Sequence, residues 1–598
     1  MPTVRYTVVA DPAAHQFQVA LDLESPGEAP VFRLPSWIRG SYLVRDFAKH
    51  VVGLRAASGE QTLAIERLDK RSFRVPGVHP HLRIDYRVYA YDSSVRKAYV
   101  DQRRGFFNGS SLFYCPAGCE HGAFEVEIRR PDQQHAPGWK LATALRAVTV
   151  DADGFGLYRA DDYEELIDHP VEMADFKRVD FDVDGIPHAL VFSGRCEFDG
   201  PRLAADVTAI CHAQREMFGQ QPDAAVGFDR YLFLTQVTAN GYGGLEHRAS
   251  TALVTARDAL PRAGHSVLRK GYRGFLGLVS HEYFHLWNVK RITANSFAQS
   301  DLAAEAYTQD LWAYEGITSY YDDLMMLRAR VIDAPAYLDL LAENATRLQR
   351  TPGRLRQVLA DASHEAWIKY YQPDENNPNQ NVSYYIKGAL AALCLDLRLR
   401  RDSNVGLDDV MRALWQRYGA RGIGVPERGI EALAAELSGL DLGGFFDQLL
   451  RSTAELPLAE LLADFGVQAH LRASTGASDE GGRSEGKASG PAATLGLQLR
   501  PGDAVVAHVL ADLPAFRAGL AGGDTLVALD DLRITASNWS KLAEALVPGR
   551  EVRLHYFRGD ELMQAVLVAE PVPLDTWTLT LADAEGESLA RRRAWLGV

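Results

Sequence analysis

Five residues, His281-Glu282-Tyr283-Phe284-His285, close an apolar, helix-like run in the pattern HExxH. On an α-helix four residues advance about 6 Å and turn about 400°, so the two imidazoles share one face, one turn apart. That spacing suits two nitrogen ligands of a tetrahedral Zn²⁺, and Glu282 beside them can take a proton from water. The pair His364-Glu365 is a contrast: position 368 is Ile, so no second ligand follows.

A catalytic zinc needs three protein ligands and one open position. Leu311-Trp312-Ala313-Tyr314-Glu315-Gly316 precedes Ile317-Thr318-Ser319-Tyr320-Tyr321, which reads as helix. Glu315 is flanked by Trp312, Tyr314, Ile317 and Tyr320, a poor solvent face, and buried carboxylates are normally paired or metal-bound. Glu315 is therefore the candidate third ligand on one Zn²⁺ per chain.

Ahead of the HExxH run lies Gly241-Tyr242-Gly243-Gly244-Leu245-Glu246-His247. Gly243 and Gly244 would let a substrate backbone come close, and an extended edge segment can take a peptide as an added strand. Glu246 would then meet a positively charged peptide N-terminus. Downstream, Ser383-Tyr384-Tyr385-Ile386-Lys387-Gly388 offers two tyrosines at the start of an apolar helix. Either could donate to an oxyanion, a contact whose loss typically costs about 2.7–4 kcal/mol. Asn288, Arg291, Ser319 and Asp322 lie near enough in sequence to orient the ligands, with a surface or packing role as the alternative for each.

Those residues need elements to hold them. From Thr3 to about Glu165, stretches such as Val4-Arg5-Tyr6-Thr7-Val8 alternate with period two between Gly and Pro, which predicts an antiparallel β domain. Strands alternate with a helix from roughly 170 to 262, and Tyr231–Val237 is the clearest strand. Helical spacing dominates from about 266 to 465. The Gly-, Ser- and charge-rich stretch from Arg472 predicts a flexible linker. A small strand-rich unit follows, then a tail containing Arg591-Arg592-Arg593, which suits a helix C-terminus or a solvated face.

Composition fits a soluble enzyme: 598 residues, 47% hydrophobic, can bury several cores. A net charge of −14 argues against nucleic acid or an anionic membrane as partner. No uninterrupted apolar stretch approaches the ~18 residues of a membrane span. The first residues lack the charged and apolar regions of a secretory signal. Five cysteines are too few for a disulfide framework. Cys115 and Cys119 form a CxxxC pair better read as reduced thiols than as a metal site. A reducing cytoplasm is the expected home.

Four separated stretches, PSWIRGSYLVRDFAKHV from Pro35, HEYFHLWNVKR, LWAYEGITSYY and AWIKYYQPDENNPNQNVSYYIKGALAALCLDLRLR from Ala366, together resemble the glycyl-aminopeptidase family of gluzincin metallopeptidases. The resemblance implies a multidomain α+β chain: an N-terminal β-sandwich-like domain (1–165), a thermolysin-like α/β plus helical catalytic domain (166–471), a linker (472–493), a C-terminal PDZ domain (494–572) and a tail (573–598). It implies zinc held by His281, His285 and Glu315, with Glu282 as base. Of the two tyrosines it selects Tyr385 as oxyanion donor, the position two before Lys-Gly. The segment around Glu246 is similar to the G-x-M-E-N exopeptidase motif, with Leu245 for Met and His247 for Asn.

Thr494-Leu495-Gly496-Leu497, then Ala518-Gly519-Leu520 and Gly522-Gly523-Asp524-Thr525-Leu526, look like a PDZ domain. In such a domain Leu495, Gly496 and Leu497 would present N–H groups to the carboxylate of a C-terminal peptide ligand. The expected activity is removal of small N-terminal residues, Gly or Ala, from peptides with a free N-terminus. An endopeptidase on the same scaffold and an inactive peptide-binding scaffold are the alternatives.

Overall fold

The computed structural model describes residues 3–219, 228–476, 478–483 and 490–597. The chain divides into two compact units, residues 1–307 with 414–426 and residues 308–413 with 427–598. The division falls between Tyr307 and Thr308, inside the block expected at 166–471.

The first unit opens with an eight-stranded sheet and two four-stranded sheets. Val4, Tyr6 and Val8 point inward while Arg5 is exposed, as the period-two pattern requires. Their side chains join Phe32, Phe73 and Phe107 from the smaller sheets in one core, so the domain is β-rich around a single interior. One expectation is corrected: the domain is not wholly antiparallel. Strand Val4–Asp11 runs parallel to Phe124–Arg129, pairing Val4 with Phe124 and Val8 with Ile128. Alternation reports which face a residue takes, not the direction of its neighbour.

A five-stranded mixed sheet follows in the order Lys177–Val183, Ile186–Ser193, Tyr231–Thr238, Ser250–Ala256, Gly243–Glu246. The central strand Tyr231–Thr238 is almost wholly buried, which explains its continuous apolar run. Helices Gly200–Met217 and Lys270–Phe284 belong to this unit, joined where the Gln214 amide donates to the Ser280 carbonyl at 2.8 Å.

The second unit is built around helices Ile317–Arg328, Ala334–Gln349 and Ile386–Asp402. Within it, residues 493–571 carry strands of two to eight residues, two short helices and their own apolar core. The residues expected as a tail are instead structural. Strand Leu574–Leu581 pairs with Val467–Ala473, and helix Gly586–Leu596 buries Trp595, whose indole donates to the Tyr320 hydroxyl at 2.9 Å. The linker expectation is also corrected over its described part. Arg472 belongs to that paired strand and binds Asp479, while Arg483 holds Asp339 at 2.7 Å. Ion pairs to neighbouring elements order a segment that composition alone assigns to coil. Residues 477 and 484–489 lie outside the described residues. No helix among the described residues is long and apolar enough to cross a membrane.

Candidate active site

Helix Lys270–Phe284 carries three glycines and no side-chain cap, so its intrinsic propensity is modest. Burial of Tyr272, Phe275, Leu276, Val279 and Tyr283, at helical spacing, supplies what propensity lacks. His281 sits in its last turn and His285 at the C-cap, where the His285 N–H donates to the His281 carbonyl at 3.3 Å. The two Nε2 atoms are 3.1 Å apart, with the rings nearly perpendicular at 87°. Two nitrogens about 2.0–2.1 Å from one tetrahedral ion stand roughly 3.3 Å apart, so the pair fits a shared cation.

The main-chain carbonyl of Asn288 accepts from His285 Nδ1 at 2.6 Å, fixing the ring and leaving Nε2 as the lone-pair nitrogen. Asn288, one of the four residues near enough in sequence to orient a ligand, thus contacts the imidazole through its backbone. Arg291 donates to the carbonyls of Leu286 and Arg248, bracing the loop beyond the helix. Burial, with Arg248 nearby, pushes the Arg291 guanidinium down to about 9.

Strand Gly243–Glu246 is the edge of the five-stranded sheet, with Gly244 opposite Leu253 and Glu246 opposite Thr251. Gly243 takes φ +147°, and a Cβ on Gly244 would stand 2.0 Å from Glu282 Oε1. Glycine at 244 is what admits the Glu282 carboxylate against the strand. Glu246 is equally enclosed: a Cβ on Gly40 would stand 2.0 Å from its Oε1. Glu246, Glu282 and His285 are all buried, and one ligand atom from each lies within 4.8 Å of the others. Two buried carboxylates this close repel one another, and a cation or an ammonium group relieves that repulsion. Arg96 already donates to Gly244 O at 3.1 Å, so one main-chain acceptor of the edge is engaged.

Leu245 packs in a small core with Ile38, Phe47, Val95, Phe106 and Ala252. His247 is buried, with Nδ1 3.3 Å from Asp168 Oδ1. Lys290 Nζ donates to the same oxygen at 2.6 Å, and the Arg248 N–H to Oδ2 at 2.8 Å. Burial alone would raise the Asp168 pKa, but the Lys290 ammonium and His247 hold this carboxyl well below the usual range. The network ties the Glu246 strand to the segment after the HExxH helix. Sequence reasoning missed Asp168, Lys290 and Gly40. A lysine ending the apolar HEYFHLWNVKR run and a glycine inside PSWIRGSYLV were signals for two of them; Asp168 had none.

In the second unit, Trp312–Gly316 forms a π-helical turn that leads into helix Ile317–Arg328, where the sequence reads as helix. Such turns occur as single bulges within helices and frequently at functional sites. Glu315 is 1% exposed, with Trp312, Tyr314, Ile317 and Tyr320 buried around it in the chain. Ser319 and Asp322 lie half-buried on the following helix. Tyr385 caps helix Ile386–Asp402, and Ser383 Oγ accepts from the Ile386 N–H at 3.3 Å. Burial and the charge of Glu315 push the Tyr385 phenol well above its ordinary value, so it stays a donor. Tyr384 is fully buried, as packing predicts.

In the C-terminal module Gly496 has φ +78°, and a Cβ there would lie 2.4 Å from Leu513 Cβ. Leu495 is buried and its carbonyl accepts from the Ala515 N–H at 2.9 Å; Leu497 opens strand Leu497–Leu499. The Gly496 N–H donates to Thr494 Oγ1 at 3.0 Å, so that donor is engaged inside the loop. Cys115 and Cys119 are buried free thiols, pushed up in pKa by burial. Neither joins a three-ligand cluster among the described residues.

Comparison with known proteins places residues 5–175 in the family described as Peptidase M61 N-terminal domain and residues 274–391 in that described as M61 glycyl aminopeptidase. A solved structure of an aminopeptidase N family protein from Idiomarina loihiensis is 36% identical, with a TM-score of 0.94, covering 99% of this chain and 100% of that one. An M1 zinc metallopeptidase of Deinococcus radiodurans, solved with a Tyr-Ser-Ala substrate, is 13% identical over 76% of this chain and 95% of that one, with a TM-score of 0.47. No curated protein matches.

Proposed function

Given that the chain belongs to the peptidase M61 family of glycyl aminopeptidases, we propose that it is a zinc aminopeptidase releasing small N-terminal residues from peptides. The observation that carries this reading is the cluster of Glu246, Glu282 and His285 beneath a sheet edge. It brings two buried carboxylates and one imidazole together, a charge arrangement that would suit an α-ammonium beside a base and a ligand.

His281, His285 and Glu315 are read as the zinc ligands, two imidazoles and one carboxylate being a common catalytic set. Bound there, the ion would acidify water towards about 7 and polarise the scissile carbonyl. Glu282 accepts the water proton and returns it to the leaving amine, so proton and electron pair balance within one cycle. Glu246 binds the free α-ammonium and so registers the first peptide bond. Gly243 and Gly244 let the substrate backbone lie along the strand. Tyr385 donates to the oxyanion through a phenol that its surroundings keep protonated. The module at 494–572 is read as PDZ-like, with Leu495, Gly496 and Leu497 as its carboxylate loop.

Gly-, Ala- and Leu-p-nitroanilides, each beside its N-acetylated form, test the reading. Turnover of the free amines alone supports it. Equal turnover of the acetylated forms would remove the Glu246 anchor and make the protein an endopeptidase.

A further inference from the structure

Asn379 is 4% exposed, within the sequence DENNPNQN. Its Nδ2 donates to the Val509 carbonyl at 2.8 Å, and its Oδ1 accepts from the Ala511 N–H at 2.8 Å. One side-chain amide thus closes both main-chain groups that flank Leu510, much as an added strand would. Leu510 in turn donates its N–H to the Gly496 carbonyl at 2.9 Å, inside the glycine loop of the C-terminal module. A second tie lies alongside: His508 Nδ1 is 2.9 Å from the Glu375 carbonyl. A Cβ on Gly522 would stand 2.6 Å from Glu375 Cβ, so the surfaces meet closely.

The other end of the same short segment leads into Tyr385. Asn379 begins it, Asn381 seats its N–H on the Asn377 carbonyl at 2.9 Å, and the Val382 N–H donates to Gln357 Oε1 at 2.9 Å. A Cβ on Gly353 would stand 2.2 Å from the Asn381 carbonyl oxygen, which leaves no room for the segment to shift that way. Ser383 Oγ then accepts from the Ile386 N–H, at the start of the helix that Tyr385 caps. A chain pinned at 379, 381, 382 and 383 has little slack before 385.

We propose that Asn379 is a positioning residue for catalysis, holding the Tyr385 hydroxyl in place by clasping the C-terminal module to the segment that carries it. The proposal rests on the oxyanion role given to Tyr385. An oxyanion donor works only within about 2.7–3.1 Å of the developing charge. A shift of about 1 Å from a distant substitution can cost ~100-fold in rate. Alanine at 379 leaves the Val509 carbonyl and the Ala511 N–H without their partner, so the segment loses its side-chain clasp on the C-terminal module and keeps only the ties at 375 and 381–383.

The test is a double-mutant cycle in the full chain, reading kcat and KM on the preferred nitroanilide. Asn379→Ala should lower kcat about tenfold or more with KM nearly unchanged. In a Tyr385→Phe background the same substitution should cost less than about twofold, because the group it positions is gone. Asn379→Asp, which keeps an acceptor for Ala511, should fall between; it and His508→Ala carry the test if the alanine variant does not fold. Unchanged kcat in a folded Asn379 variant, a loss confined to KM, or an equal loss in both backgrounds overturns the coupling. Full activity in Tyr385→Phe alone overturns the oxyanion reading instead, and the coupling with it.

Discussion

Gly316 and Gly388 meet backbone to backbone. A Cβ on Gly316 would lie 2.6 Å from both Cα and the carbonyl carbon of Gly388, and one on Gly388 would lie 3.0 Å from Gly316 Cα. The turn that ends at Gly316 carries Glu315, and the helix that Tyr385 begins carries Gly388. This contact sets the spacing of the two functional side chains. Gly316→Ala should destabilise the fold by about 1–3 kcal/mol, as overpacking does, and lower kcat. Urea unfolding beside turnover measures both; a variant as stable and as active as wild type would show that the contact has room.

Gly244→Ala isolates a second close approach. Its Cβ would occupy the place of Glu282 Oε1. The carboxylate, at the end of a flexible side chain, should swing away and leave the strand intact. The expected result is an unchanged circular dichroism spectrum with turnover reduced roughly 10- to 100-fold.

Glu282→Gln keeps size and polarity but cannot accept a proton. Turnover should drop about 10²- to 10⁴-fold while zinc content stays at wild-type level. Residual activity near wild type would assign the base elsewhere.

Glu315→Ala tests the ligand set. Zinc measured by plasma mass spectrometry after dialysis should fall well below one per chain. Full occupancy in this variant would exclude Glu315 as a ligand.

Asp310 gives a pH prediction. Burial and the neighbouring Glu427 push its carboxyl up to about 7, although the Arg428 N–H donates to it. A carboxyl whose folded pKa lies above its unfolded value binds its proton more tightly in the fold. Its stabilising contribution is complete below the unfolded pKa and is lost as pH rises through about 7. The wild-type melting temperature should therefore decline between about pH 5 and pH 8 relative to Asp310→Asn. Parallel melting curves would place the Asp310 pKa in its ordinary range.

The sequence by itself determined the local parts. HExxH spacing sets two imidazoles one turn apart wherever a helix forms, and the period-two runs fix which strand residues face inward. The apolar neighbours of Glu315 announce its burial. These are properties of a few consecutive residues and one backbone geometry, so they can be read from the letters.

Tertiary structure alone decided the rest. That Gly40 cradles Glu246, that Lys290 meets Asp168, that Asn379 clasps residues 509 and 511, and that one strand of the first sheet runs parallel to its neighbour are contacts between distant segments. No periodicity encodes them, because each depends on how separately formed elements pack. The π-turn at Trp312–Gly316 belongs with these: no spacing in its letters marks it, and the extra residue in the turn accompanies the packing of Gly316 against Gly388.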